Sequence, residues 1–153
     1  MNLPVIMTKS SINKQVNKIM KLNKETATYG LKLSRQEIIQ VLEVRKDLLR
    51  GYGRIEIGTD VIDKLIKSFY TSAYIQQDSY STTLMELQEI FYYMKNETED
   101  NLSDDEIIET LKDFFENYCK GSIELLQGRE IESFSRNQRI RNQENDFFKG
   151  EYF

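Results

Sequence analysis

Ser34-Arg35-Gln36-Glu37-Ile38-Ile39-Gln40-Val41-Leu42-Glu43-Val44-Arg45-Lys46-Asp47-Leu48-Leu49-Arg50-Gly51 spells out one complete helix with its start and its stop. Ser34 with Glu37 three residues on is a capping box. The serine oxygen accepts an orphan amide of the first turn, and the glutamate reaches back to the serine amide. Ile38, Ile39, Val41, Leu42, Val44, Leu48 and Leu49 then lay a broad apolar stripe along one helix, ending near Arg50. A stripe that wide predicts a central helix touched from more than one side. Gly51 suits a left-handed cap.

Helical spacing continues on both sides. Ile62, Leu65, Ile66, Phe69 and Ala73 predict a helix from Asp60 to Ala73, capped by Thr59 or Gly58. From Asp78 or Ser79 to Lys95, the residues Tyr80, Leu84, Leu87, Phe91 and Met94 alternate steps of four and three, as in an antiparallel bundle seam. Ser103-Asp104-Asp105-Glu106 is a second capping box, opening a helix to about Lys120. Its inward face is Ile107, Ile108, Leu111, Phe114, Phe115 and Tyr118, and Gly121 ends it. Ser122 caps a shorter helix with Ile123, Leu126, Ile131 and Phe134, weakened by Gly128. Upstream, Ile12, Val16, Ile19 and Met20 make residues 9–22 a short basic amphipathic helix. Such a helix packs onto its own acidic body, or docks on a partner or a membrane.

Two stretches break the helical pattern. Tyr29-Gly30-Leu31-Lys32-Leu33-Ser34 and Tyr52-Gly53-Arg54-Ile55-Glu56-Ile57-Gly58 alternate apolar with polar residues. They read as the two strands of a ribbon lying on the helices, with extended loops as the alternative. The expected fold is therefore mainly α, a compact bundle of four to five helices with a small two-stranded β-ribbon. The expected organisation is a basic leader over 1–24, one helical domain over 25–134, and a polar tail over 135–153 with an aromatic end.

Composition narrows the chemistry. The chain has 153 residues, no histidine and one cysteine, Cys119. The commonest general base and metal ligand is thus missing. A lone cysteine forms no internal disulfide, which points to a reducing cytoplasm. No apolar run approaches the roughly 18 residues of a membrane span. The net charge of −4 is uneven, because residues 1–24 carry five lysines and no acid. Residues 25–128 carry eleven basic and twenty acidic side chains, and the remainder is neutral. An acidic body repels phosphates, so nucleic acid could be met only through the ends. The basic cluster there is Arg129, Arg136, Arg139 and Arg141.

The stretch from about Glu25 to Glu132 resembles a family of small helical bacterial proteins of unknown function. The residues that carry the resemblance are Tyr29-Gly30-Leu31, Tyr52-Gly53-Arg54, Ile90-Phe91-Tyr92-Tyr93-Met94-Lys95-Asn96-Glu97-Thr98-Glu99-Asp100 and Glu124-Leu125-Leu126-Gln127-Gly128-Arg129-Glu130. It implies one recurring domain and transfers no functional residue.

Glu86 with Glu89 and Glu106 with Glu109 are carboxylate pairs at i, i+3, each able to clamp a cation from one helix face. Two such pairs on adjacent helices resemble the ExxE…ExxD arrangement of all-α nucleotide pyrophosphohydrolases, with Glu109 in place of the final aspartate. Chance placement of 25 acids gives about four acidic i, i+3 pairs, and the chain holds five, so the pattern is not enriched. Cys119, near a helix C-terminus with no histidine to activate it, reads as a small packed side chain.

No catalytic set and no cofactor is expected. The expectation is a cytoplasmic module that binds another protein or a second copy of itself. The candidate contacts are Ile12, Val16 and Ile19 on the leader, Tyr92 and Tyr93 on the body, and the terminal Phe147, Phe148, Tyr152 and Phe153. Those last four rings dock either on their own domain or on another protein.

Overall fold

A computed structural model describes residues 3–134 and 136–138, with side chains described at 11–128, 131–134 and 136–138. The α-helices run in order as α1 Leu3–Met20, α2 Asn23–Thr26, α3 Arg35–Gly51, α4 Asp60–Phe69, α5 Tyr80–Glu97, α6 Asp104–Asp113 and α7 Ile123–Leu125, and residues 131–134 and 136–138 are helical as well. Short 3-10 turns cover Ala27–Tyr29 and Gln77–Ser79. Wider π turns extend α6 over Phe114–Tyr118 and α7 over Leu126–Glu130. The chain divides between Gln88 and Glu89 into two compact units.

In the first unit the capping box of Ser34 and Glu37 is formed. The Ser34 hydroxyl accepts the Glu37 amide at 3.1 Å, and the Glu37 carboxylate accepts the Ser34 amide at 2.9 Å. From α3, Ile38, Val41, Leu42 and Leu49 enter the core, with Ile39, Val44 and Leu48 half-buried at the margin. Helix α1 packs along α3 and supplies Val16 and Ile19, both buried. Lys18, on the solvent side of α1, bridges Asp60 at 3.7 Å and Asp63 at 3.4 Å in the first turn of α4. Helix α4 buries Val61, Ile62, Leu65, Ile66 and Phe69 and ends there, short of the expected Ala73. The Ser72 amide donates to the Phe69 carbonyl and the Ser72 hydroxyl accepts the Tyr74 amide, which turns the chain away.

The expected two-stranded ribbon is not formed, and no strand occurs among the described residues. The reason lies in who takes the backbone groups of Leu31, Lys32 and Leu33. The Leu31 amide donates to the Thr26 carbonyl at 3.1 Å, and its carbonyl accepts the Thr26 hydroxyl at 2.7 Å. Lys32 exchanges both groups with the side-chain amide of Gln77, at 2.7 and 2.9 Å. Leu33 does the same with Asn23, at 2.9 Å each way. Two carboxamides and a threonine thus stand where a partner strand would. The alternation was real, since Leu31 and Leu33 are buried and Lys32 exposed, but nothing is left over to pair.

The second unit opens with the C-terminal half of α5, where Ile90, Phe91, Tyr92 and Met94 are buried. Lys95 bridges Asp104 at 2.7 Å, fastening the end of α5 to the start of α6. Helix α6 has the expected capping box, Ser103 with Glu106, and buries Ile107, Ile108 and Leu111. Beyond it the π turn changes the register. The Cys119 amide donates to the Phe114 carbonyl five residues back, at 2.8 Å. One extra residue per turn moves the inward position from Tyr118 to Cys119. Tyr118, expected inside, is 62 % exposed, and Cys119 takes its place at 1 %. A second π turn explains why Leu126 and Ile131, five apart, are both buried.

Candidate functional site

Between α3 and α4 the chain runs without helix from Tyr52 to Thr59. Helix α3 ends on a left-handed residue, which is Gly53 (φ +65°) and not the expected Gly51. The amide of Arg54 then reaches back to the Leu49 carbonyl at 2.8 Å, closing the end of the helix. Gly58 is left-handed again, at φ +85°, and redirects the chain into α4. The four residues between these glycines alternate. Arg54 and Glu56 are half-buried, whereas Ile55 and Ile57 are 95 % and 97 % exposed. This period of two is that of an extended strand.

Arg45, buried on α3, holds this segment. Its guanidinium donates to the Glu56 carbonyl at 2.8 Å and to the Gly58 carbonyl at 2.5 Å. In an extended chain, backbone groups of alternate residues point to opposite edges. The edge carrying the Arg54 amide and the carbonyls of Glu56 and Gly58 therefore faces its own unit. The amides and carbonyls of Ile55 and Ile57 point the other way and make no hydrogen bond among the described residues. The result is a short open β-edge topped by two bare β-branched side chains. Sequence reasoning treated Ile55 and Ile57 as half of an internal ribbon and missed them as a site. The available signal was an alternating Arg-Ile-Glu-Ile bounded by two glycines, with the isoleucines outside every helical stripe.

The residues expected to contact a partner fall elsewhere. Val16, Ile19 and Tyr92 are in the core, Ile12 and Tyr93 are half-buried, and Phe147, Phe148, Tyr152 and Phe153 lie outside the described residues. Other large exposed apolar groups in the first unit are Met20, Tyr29 and Tyr74, with Tyr29 set edge-on to Tyr70 at 5.2 Å. In the second unit they are Tyr118 and Leu125, and Tyr118 leans edge-on against Phe114.

The paired carboxylates lie at or near the surface of their helices. Glu86 is half-buried, and Glu89, Glu106 and Glu109 are exposed. Glu106 is spent on its capping box, where the Ser103 amide, and after it the Ser103 hydroxyl, hold its pKa below the ordinary carboxylate value. Among the described residues no three acidic or cysteine side chains converge as a metal would need. A strongly perturbed group inside the first unit, Tyr80, is structural. Burial pushes the Tyr80 phenol up to about 12. Its neighbour Thr26 lowers it less and spends its own hydroxyl proton on Leu31, leaving the Tyr80 oxygen without a well-formed hydrogen bond.

No helix among the described residues is long and apolar enough to cross a membrane. A family model described as a family of unknown function (DUF6323) matches residues 18–144. The match bears out the resemblance drawn from the sequence over about 25–132 and runs past it at both ends, taking in the close of α1. No curated protein and no solved structure matches the chain.

Proposed function

We propose, for a chain that belongs to this family of unknown function, that it is a cytoplasmic protein-binding module or small subunit of an assembly, engaging protein through Arg54–Ile57. The observation that carries this reading is the near-complete exposure of Ile55 and Ile57 on an edge whose amides and carbonyls have no partner. A single exposed isoleucine is ordinary. Two together on an open edge are a template for strand addition, which proteins otherwise cover or blunt with charge. Covering one such side chain contributes about 1.5–3 kcal/mol. Main-chain bonds fix the direction of the added strand, and the side chains supply its selectivity.

The test places a photo-crosslinking amino acid at position 55 in the full chain, expressed in its native host. Discrete protein adducts that vanish with Ile57→Asp are the expected result. Adducts no different from those at an exposed position such as Glu43 would remove the segment from any binding role.

A further inference from the structure

We propose that the strand added to this edge is a second copy of the same chain, paired antiparallel so that Ile55 lies opposite Ile55 of the partner subunit. This rests on the reading of Arg54–Ile57 as a protein-binding edge, and it names the occupant.

The sequence itself selects the register. A two-fold pair of identical strands keeps each side chain on its own face, so a residue can oppose only one of matching parity. Four centres fall within the extended stretch. Centring on Arg54 or on Ile57 pairs only that residue with its copy, because Gly53 and Gly58 turn the chain at either side. Centring on Glu56 sets two glutamates against each other, and like charges directly opposite are destabilising. Centring on Ile55 sets Arg54 opposite the partner subunit's Glu56, and Glu56 opposite the partner subunit's Arg54. Both charged pairs form at once, with isoleucine against isoleucine between them. The sequence Arg-Ile-Glu is self-complementary in this register and in no other.

The backbone agrees with it. The central pair must exchange two amide–carbonyl bonds, and Ile55 is a residue whose amide and carbonyl are both open. The flanking Arg54 and Glu56 fall at positions that exchange none across the pair. Their committed backbone groups, the Arg54 amide to Leu49 and the Glu56 carbonyl to Arg45, are the ones the pairing leaves alone. Arg54 and Glu56 also have interactions within their own chain, and the cross-strand pairs add to these. A two-stranded ribbon this short is weak by itself, so the expected association is dynamic and depends on concentration.

The experiment is cysteine trapping in the full chain. Opposed residues of a hydrogen-bonded antiparallel pair have Cα atoms about 5.5 Å apart, inside the roughly 4.4–6.8 Å that a disulfide spans. Position 57 and its copy sit four residues apart along the strands, about 13 Å at the usual rise. Ile55→Cys and Ile57→Cys are therefore equally exposed probes that differ only in register. Diamide takes two protons and two electrons from two thiols, and Cys119 stays out of reach at 1 % exposure. Expected is a disulfide dimer from Ile55→Cys at least ten times more abundant than from Ile57→Cys. Equal yields, or a dimer from neither, overturn the pairing.

A second arm reads the charges. Arg54→Glu added to Ile55→Cys should abolish trapping, and Glu56→Arg on top of it should restore it; failure of that rescue in a folded triple variant also overturns the register. If Arg54→Glu does not fold, the comparison of positions 55 and 57 still decides. Photo-adducts at position 55 to a different protein, without trapping, would overturn self-pairing and leave the binding role standing. No adduct of any kind removes both.

Discussion

The guanidinium of Arg45 donates to the carbonyl of Glu56 at 2.8 Å, so a cation on α3 holds an extended segment by one edge and leaves the other open. A second bond from the same guanidinium nitrogen, to Gly58, fixes where that segment bends into α4. Arg45→Met keeps most of the side-chain volume and removes both bonds. The expected cost is about 2–3 kcal/mol, because two carbonyls lose a charged donor. Urea unfolding measures it. No change in the midpoint would mean that the segment is held by something else.

Asn23 and Gln77 do for Leu33 and Lys32 what a neighbouring strand would do. Asn23→Ala should therefore destabilise more than the usual surface substitution, by about 1–3 kcal/mol, since it orphans a part-buried amide and carbonyl together. Gln77→Ala acts on exposed groups that water can reclaim and should cost less than about 1 kcal/mol. Chemical denaturation of the two variants checks the order. A larger effect at Gln77 would contradict it.

Tyr80 gives a pH dependence whose sign is fixed by burial. Its folded pKa lies near 12, above the ordinary 10.0. The stability it carries is complete below pH 10 and drains away as pH rises toward 12, where the unfolded chain ionises first. Tyr80→Phe deletes a buried hydroxyl that lacks a good partner, so it should be neutral or stabilising at pH 7. It should also lessen the alkaline loss of stability relative to the parent. Melting curves across that range settle it, and parallel declines in the two proteins would refute the assignment.

The capping boxes make a matched pair. Ser34→Ala and Ser103→Ala should each cost about 1 kcal/mol. Ser103→Ala should in addition raise the Glu106 pKa toward its ordinary value, because both bonds that lower it come from Ser103, and the new alanine keeps only the backbone one. In the parent, the stabilisation by Glu106 is present above the ordinary carboxylate pKa and is lost as pH falls through the lowered one. Carboxyl NMR titration of Glu106 reads this directly; an unchanged value in the variant would sink it.

The helices were legible because their signals are local. Ser34 and Ser103 announce their helices by side chains three residues away, and the spacing from Tyr80 to Met94 marks a buried face without further help. What failed depended on distant or unusual bonds. Gln77 lies 45 positions from Lys32, so no window around residues 29–34 could show that its side chain replaces a strand. The π turn at Phe114–Tyr118 shifts one residue out and one in, and a fixed period of 3.6 has no place for it. Tyr92, expected among the partner contacts, packs edge-on against Phe91 at 5.0 Å in the core. The site itself is half visible in the sequence: the alternation at Arg54–Ile57 shows there, but which face points outward is decided by Arg45, which lies outside the apolar stripe of α3.

Amide hydrogen exchange at Ile55, followed by NMR over a dilution series, tests the open edge and its occupant together. Fast exchange in micromolar protein and slower exchange at millimolar concentration, with the Arg54 amide protected throughout by Leu49, is the predicted result. A slow Ile55 amide in dilute protein, or one equally fast at every concentration, would contradict it.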